Sequence, residues 1–196
     1  MRIAPRELDR TEETRHAAVS AILRTPRAGF DPEILFIRRA ERASDPWSGH
    51  IAFPGGRHEP SDPDLRATAI RETREEIGLD LDAHGELLGR LDDVVPGNSR
   101  GLITGLVVEP YVWLVHDIPR LSPNGVEVDE LHWVALAPLL RGERDTSYDY
   151  VWRSQPMKLP GYRIGTEEAP RIVWGMTHRM IETLFMRIHQ VTKAPK

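Results

Sequence analysis

Short apolar runs punctuated by proline and glycine, with two helical segments of unlike character among them, predict a single layered α/β domain. The runs have the length of strands rather than helices. Residues 64–77 pair one apolar side with one strongly acidic side, and residues 175–190 repeat Met176, Met180, Leu184 and Ile188 at intervals of four. At 196 residues the chain holds one ordinary domain and is too short for two.

Residues 1–16 are charged and unpatterned, which predicts an arm or a short helix ahead of a domain over 17–190. Ala17 to Leu23 and Ile34 to Ile37 read as strands separated by Pro26, Gly29 and Pro32. Ile51 to Phe53 is a third, stopped by Pro54-Gly55-Gly56. A helix over 64–77 starts near Asp62 or Asp64, tolerates Pro63 early, and ends at Gly78. Leu87 to Leu91 and Leu102 to Val115 are expected strands, the second with a bend or bulge at Pro110. Leu131 to Val134 is another, followed by a short helix near Pro138 to Leu140. Tyr148 to Trp152 and Tyr162 to Ile164 predict a hairpin with a long loop. The last helix runs from Gly175 to Gln190, and 191–196 is a flexible tail.

Composition narrows the function. Lys plus Arg total 26 and Asp plus Glu 30, a net charge of −4, which argues against a general nucleic-acid binder. No apolar run reaches the roughly 18–20 residues of a membrane span, and the N-terminus lacks the apolar core of a secretory signal, so no membrane partner is expected. The absence of cysteine excludes disulfides, thiolate catalysis and cysteine metal sites, and fits a cytoplasmic protein. The oligomeric state is not written in the sequence.

The informative stretch runs from Gly55-Gly56 to Arg71-Glu72-Thr73-Arg74-Glu75-Glu76-Ile77-Gly78-Leu79. At about 100° per residue, Glu75 falls about −60° and Glu76 about +40° from Glu72, so three carboxylates share a face opposite Ile70 and Ile77. Like charges at this spacing repel and call for a positive partner. Arg71 and Arg74 supply part of it, and an oxygen-rich face also suits Mg²⁺ or Mn²⁺. On a random helix such a face is most often simply solvated, but the upstream glycine pair allows backbone to approach a ligand closely.

This segment resembles the signature box of the Nudix hydrolases, G-x5-E-x7-R-E-x-x-E-E-x-G followed by an aliphatic residue. Gly56, Arg71, Glu72, Glu75, Glu76, Gly78 and Leu79 match it. The resemblance implies the family's α/β/α sandwich with a mixed sheet. The loop is one residue longer than the box, 71 − 56 = 15 where the box has 14, and Glu59, Asp62 and Asp64 compete for its acidic position. A longer loop with aspartate resembles the coenzyme A pyrophosphatase branch. Phe53-Pro54-Gly55-Gly56 matches that branch's lead-in, and 172–177 resembles the start of its final helix. Residues 35–40 resemble its upstream run with two polar residues replaced. Asp45 stands where the branch has an arginine, with the spacing to Gly49 one longer, so 45–50 remodels the wall beside the substrate.

The resemblance implies metal-dependent hydrolysis of a nucleoside diphosphate linked to a second group, with coenzyme A or a derivative as leading substrate. ADP-ribose, a dinucleotide or another such compound is the alternative. Glu72, Glu75 and Glu76 are the implied metal ligands, with a backbone carbonyl at Gly55 or Gly56. Glu72 or Glu75 takes the proton from water, and Arg71 orients a box glutamate through a paired hydrogen bond. In some members the base lies on a downstream loop, which makes Glu127 a second candidate, a surface turn being its plain alternative. Arg38 and Arg39, adjacent on a strand, point to opposite faces, one toward phosphate and one toward solvent. Trp47 can stack on a base or plug the core. His50 and His58 flank the glycine pair in reach of phosphate or metal, His50 being the substrate-binding candidate, while plain loop histidines are the commoner reading. Tyr148, Tyr150 and Trp152 alternate along one strand face, fit either for packing or for lining a pocket. A different class, the Nudix-like domain that only senses its ligand, usually lacks a box carboxylate, whereas this chain keeps all three.

Overall fold

The computed structural model describes residues 4–11, 13–26, 31–42, 47–98, 101–102, 105–152 and 154–193. Twelve strands and four helices follow one another in those residues. β1 (Arg15–Arg24), β2 (Glu33–Arg39), β3 (Ile51–Ala52) and β4 (Gly55–Arg57) precede α1 (Leu65–Ile77). α2 (Leu81–His84), β5 (Gly85–Arg90), the small pair β6 (Gly97–Asn98) and β7 (Gly101–Leu102), and β8 (Leu106–Val115) come next. β9 (Val128–Ala135), α3 (Leu136–Leu140), β10 (Asp145–Trp152), β11 (Gln155–Gly165), β12 (Pro170–Trp174) and α4 (Gly175–Lys193) complete the order.

A mixed seven-stranded sheet runs β3-β2-β1-β8-β5, with β4 also paired to β1 and β9 to β2. β1 and β8 are parallel, in continuous register from Arg15↔Leu106 to Arg24↔Val115. Alternation along these strands divides the core. Ile22, Leu35, Ile37 and Trp113 join Ile70, Ile77 and Leu79 on the α1 side. Ala21, Leu23, Ile34, Phe36 and Val112 join Tyr162, Val173, Met180, Ile181 and Leu184 on the α4 side. The sheet is therefore the middle layer of an α/β/α sandwich. α4 buries Met180 and Leu184, with Met176 and Ile188 packed at the margin, so the stripe of fours is core. Among the described residues no helix is long and apolar enough to cross a membrane.

Several local expectations need correction. β3 does stop ahead of Pro54, one residue short of the expected Phe53, but Gly55 and Gly56 then form a strand of their own, β4, paired with Ala18 and Val19 of β1. The 102–115 run divides into β7 and β8, and α2 appears where only a connection was expected. Pro110 makes no bulge in β8. Its carbonyl accepts from Leu91 N–H, and having no N–H to return it ends the ladder with β5 at Arg90↔Tyr111. The irregularity falls on β5, between Leu87 and Gly89. The hairpin β10–β11 closes tightly, Trp152 pairing with Gln155, because β11 begins seven residues earlier than its apolar stretch suggests. Residues 170–174, read as leading into the final helix, make a third strand paired with β11. The described part of the N-terminal arm is no helix. It is pinned by Arg6 N–H to Asp92 (2.9 Å), Leu8 N–H to Asp93 (3.0 Å) and Arg10 to Asp93 (3.1 Å). Lys193 belongs to α4, and 194–196 lie outside the described residues.

Candidate active site

α1 is set by its ends. Asp64 caps it, its carboxylate accepting from Ala67 N–H at 2.7 Å. Gly78 closes it in the left-handed region (φ 72°), donating its N–H to Arg74 O. Beyond that end the chain returns to hold the helix C-terminus. Ser122 N–H donates to Ile77 O, and Asn124 donates its backbone N–H to Glu76 O and its side-chain amide to Glu75 O. Asn124 Oδ1 accepts in turn from the N–H groups of Val126, Glu127 and Val128, so one residue ties the Glu127 loop to the acidic helix. Sequence reasoning passed over this role for Asn124, although Asn124-Gly125 is a turn signal.

The three helix carboxylates stand in different surroundings. Glu76 is 2% exposed and accepts from Gly55 N–H at 2.9 Å. Burial, with Glu72 and Glu127 adding to it, pushes its pKa up to about 8 against the pull of Gly55 N–H and Arg39. Glu72 is half-buried, and burial raises it too, opposed by Arg71. Glu75 is exposed, 3.1 Å from Arg71 Nη1. A Cβ on Gly56 would lie 2.4 Å from the Glu72 carboxyl carbon, so only glycine lets this backbone meet that carboxylate. At Gly55 (φ 148°) a Cβ would lie 2.2 Å from Ala18 O.

Arg71 corrects one expectation. Its paired hydrogen bond goes to Asp62, Nε to Oδ1 at 2.9 Å and Nη2 to Oδ2 at 3.0 Å, and not to a box glutamate. Glu72 and Glu75 receive single bonds from Nη1 at 3.0 and 3.1 Å, and Arg57 O accepts from Nη2. Of the three competing acids, Asp62 takes the arginine, Asp64 caps the helix, and Glu59 stays 4.0 Å from Arg71. The Arg71 hydrogen bond holds the Asp62 carboxyl well below the usual carboxylate range, against the cost of burial.

The remaining candidates fall into two groups. Glu127 lies within electrostatic reach of Glu72 and Glu76, raising both, and its own carboxylate is 3.7 Å from Arg42. Arg42 also donates twice to Val126 O, clasping this loop, a contact no motif announces. Arg39 acts on Glu76 from β2. Arg38 points elsewhere and is not simply solvated: it binds Asp129 (2.7 Å) and Glu41 (2.5 Å) and stands 3.6 Å from Glu130. Glu130 lies within β9, bound by Arg171 and His132. His50 packs on Trp174 (4.9 Å between ring centres) beside Tyr148, which stacks on the same indole at 4.1 Å. Tyr150 leans on Trp174 at 5.4 Å, so the alternating tyrosines pack together. Trp47 sits in an exposed turn and plugs no core. Asp45 lies outside the described residues, as does the Trp152 side chain. A separate open cavity of about 470 Å³, lined by Leu139, Tyr162, Glu182, Phe185 and His189, lies on the α4 side away from the acidic helix.

The sequence profile of the NUDIX domain matches residues 14–155. The chain belongs to the Nudix family. An uncharacterized protein of Schizosaccharomyces pombe is 38% identical over 116 residues, 59% of this chain and 35% of that protein. Human mitochondrial coenzyme A diphosphatase NUDT8 is 32% identical over 84% of this chain and 66% of its own length. An uncharacterized Nudix hydrolase, NudL, of Photorhabdus laumondii is 30% identical over 91% of this chain and 87% of its own. The chain thus spans between a third and two thirds of the first two relatives' lengths. Among solved structures, the NUDIX domain of Shewanella oneidensis NrtR, complexed with ADP ribose, is 16% identical with a TM-score of 0.55, covering 89% of this chain and 88% of that one. A MutT/nudix family protein of Enterococcus faecalis superposes with a TM-score of 0.56 at 16% identity, over 94% of this chain and 64% of that one. These likenesses show the Nudix fold, and Nudix hydrolases typically use a divalent metal.

Proposed function

We propose that the chain is a pyrophosphatase dependent on Mg²⁺ or Mn²⁺, hydrolysing a nucleoside diphosphate linked to a second group, with coenzyme A or a derivative as its substrate. The observation that carries this is the shortage of positive charge on α1. Among the described residues Arg71 is shared by Asp62, Glu72 and Glu75, while Glu76 is buried with the Gly55 N–H as its hydrogen-bond donor and stays raised despite Arg39. Carboxylates raised by burial are groups that a hard divalent cation draws back to the ionised form. The bare backbone at Gly56, where any side chain would strike Glu72, suits the same purpose. Among the described residues no three acidic or histidine side chains already converge as a cage, and Arg71 holds Glu72 and Glu75 meanwhile. Glu72, Glu75, Glu76 and the Gly56 backbone carbonyl are the groups to hold the metal. The cation, when bound, supplies charge neutralisation at the phosphate oxygens and a lowered pKa for water.

The chain's own groups do the rest. Glu72 or Glu75 accepts the proton of the attacking water, with Glu127 as the second candidate on its tethered loop. Oxygen from water bonds to phosphorus as the bridging P–O bond breaks, a reaction governed by positioning and charge. Arg71 holds the box glutamates. Arg39 and Gly55 lie beside the acidic face and suit phosphate contact, and His50 and Trp47 suit the wall toward the second group, whereas Arg38 is taken up by Asp129 and Glu41. Coenzyme A is favoured by the lead-in at 53–56 and by the kinship with human NUDT8, whose name records coenzyme A diphosphatase activity.

The test is product detection by mass spectrometry in ¹⁸O-labelled water, with Mg²⁺ or Mn²⁺ and coenzyme A, ADP-ribose, NADH or a nucleoside triphosphate. Phosphopantetheine carrying ¹⁸O, or its ¹⁸O-labelled nucleotide co-product, from coenzyme A is expected. Cleavage of the other compounds alone would retain the chemistry and discard the substrate. No cleavage of any would favour a domain that only binds.

A further inference from the structure

His58, which the sequence offers as a loop histidine or a contact to phosphate or metal, ends a chain of hydrogen bonds that leads to the acidic helix. Arg71 grips Asp62 through two parallel bonds, and that pairing keeps the carboxylate ionised, so both its oxygens can only accept. Thr68 Oγ1 lies 2.8 Å from Asp62 Oδ2 and 3.3 Å from Asp64 O, both of which only accept, and its single proton goes to the nearer, charged oxygen. His58 Nδ1 lies 3.0 Å from the same Oγ1. The hydroxyl has no second proton, so Nδ1 must carry one and donate. The start of the loop is held at two successive N–H groups, His58 N–H donating to His16 O (2.9 Å) and Glu59 N–H to the Asp62 side chain at Oδ2 (3.0 Å). Thr68 is fully buried, so its hydroxyl has no water to exchange with.

We propose that His58 is a positioning residue which, through Thr68 and then Asp62, fixes the Arg71 fork that holds Glu72 and Glu75. Arg71 reaches both box glutamates through one nitrogen, Nη1, so a rotation of its guanidinium displaces two carboxylates together. Asp62 sets that rotation, and three donors set Asp62: the Glu59 N–H, Thr68 and Arg71 itself. The loop between Gly56 and Arg71 carries one residue more than the family's box, and His58 lies in that loop. The consequence for turnover rests on the pyrophosphatase reading; the consequence for Arg71 does not.

Two readouts keep these apart. In ¹⁵N spectra of the whole chain, His58 is expected as the Nδ1–H tautomer, and the Arg71 Nε–H as a protected signal. His58→Ala and Thr68→Val are each expected to speed exchange of that proton. His58→Asn, whose amide nitrogen occupies the place of Nδ1, is expected to restore it, and His58→Gln is not. In hydrolysis, His58→Ala and Thr68→Val are expected to lower kcat about tenfold with KM unchanged, the scale of groups that orient a metal site's ligands. Because the hydrogen bond of His58 goes to the hydroxyl at 3.0 Å, with Asp62 Oδ2 itself 3.8 Å away, His58→Ala should add little in the Thr68→Val background. An Nε2–H tautomer, an unaltered Arg71 signal in His58→Ala, or full additivity of the two changes would overturn the proposal. A chain that cleaves no substrate but shows the expected Arg71 pattern would sink the pyrophosphatase reading and leave this relay standing.

Discussion

Two buried polar clusters flank β1, and they balance charge in opposite ways. Behind the N-terminal arm, Arg10 and Arg90 face the buried carboxylates of Asp93 and Glu109, two against two, and the exposed Glu7 also lies 2.7 Å from Arg90. Arg10 and Arg90 lie 2.5 and 2.8 Å from Glu109 Oε1, and Tyr111 donates to Oε2 at 2.7 Å. Burial pushes the Glu109 carboxyl up, but these donors overcome it and hold it below its ordinary value. On the α1 face one arginine serves Asp62, Glu72 and Glu75, and buried Glu76 is raised to about 8. The first cluster is complete as it stands and pins a strand and an arm together. The second has less positive charge than its carboxylates require, and a cation can supply the remainder. The comparison teaches that buried acid alone does not mark a site; its unbalanced charge does.

The largest effect that sharpens this contrast is on the balanced side. Glu109→Ala leaves Arg10 and Arg90 to share Asp93 and takes away the acceptor of the Tyr111 hydroxyl, and is expected to cost about 3 kcal/mol in urea unfolding, with Mn²⁺ affinity unchanged in the protein that remains folded. Next is pH. The folded chain keeps Glu76 protonated up to about 8, whereas unfolded it ionises near 4.5, so between these values the folded state holds more protons. The stability of the metal-free protein from this group is full below about pH 4.5 and is lost as pH rises through about 8. The loss is on the order of a few kcal/mol, and Glu76→Gln should remove it. Glu109, lowered in the folded state, acts in the opposite sense, its contribution being lost as pH falls through its folded pKa.

Glu75→Gln sharpens the contrast from the other side. Glu75 is exposed, so its change should barely move the unfolding curve, yet kcat is expected to fall about 10²-fold or more. An unchanged kcat would return Glu75 to a solvated helix face. Smaller still is Gly56→Ala. The added methyl meets the flexible end of Glu72 rather than backbone, so stability should hold while metal affinity falls about tenfold, as read by calorimetry.

Much of this was legible in the sequence, and the reasons differ by element. α1 could be bounded because Asp64 and Gly78 are chemically suited to its two ends, and its acidic face follows from helical period alone. The β1 and β2 strands show as apolar runs because both of their faces are covered. β4 was missed because its pairing depends on two glycines with no side chain to pattern, and β12 because five residues between a turn and a helix carry too little periodicity. The site was legible where a motif spaced its residues along one helix. Asn124 and Arg42 act across the fold on partners distant in sequence, and Thr68 and His58 meet Asp62 through the fold of the loop ahead of α1, so no motif spacing announces any of the four. The choice among Glu59, Asp62 and Asp64 likewise needed the Arg71 side chain in place.

The central claim is that a divalent cation fills the charge shortage on α1, and Mn²⁺ titration of the metal-free chain, by calorimetry at pH 7.5, tests it most directly. Wild type is expected to bind Mn²⁺, Glu76→Gln to bind it at least tenfold more weakly, and Glu109→Gln to match wild type. No Mn²⁺ binding by the wild type, or equal weakening by Glu76→Gln and Glu109→Gln, would contradict it.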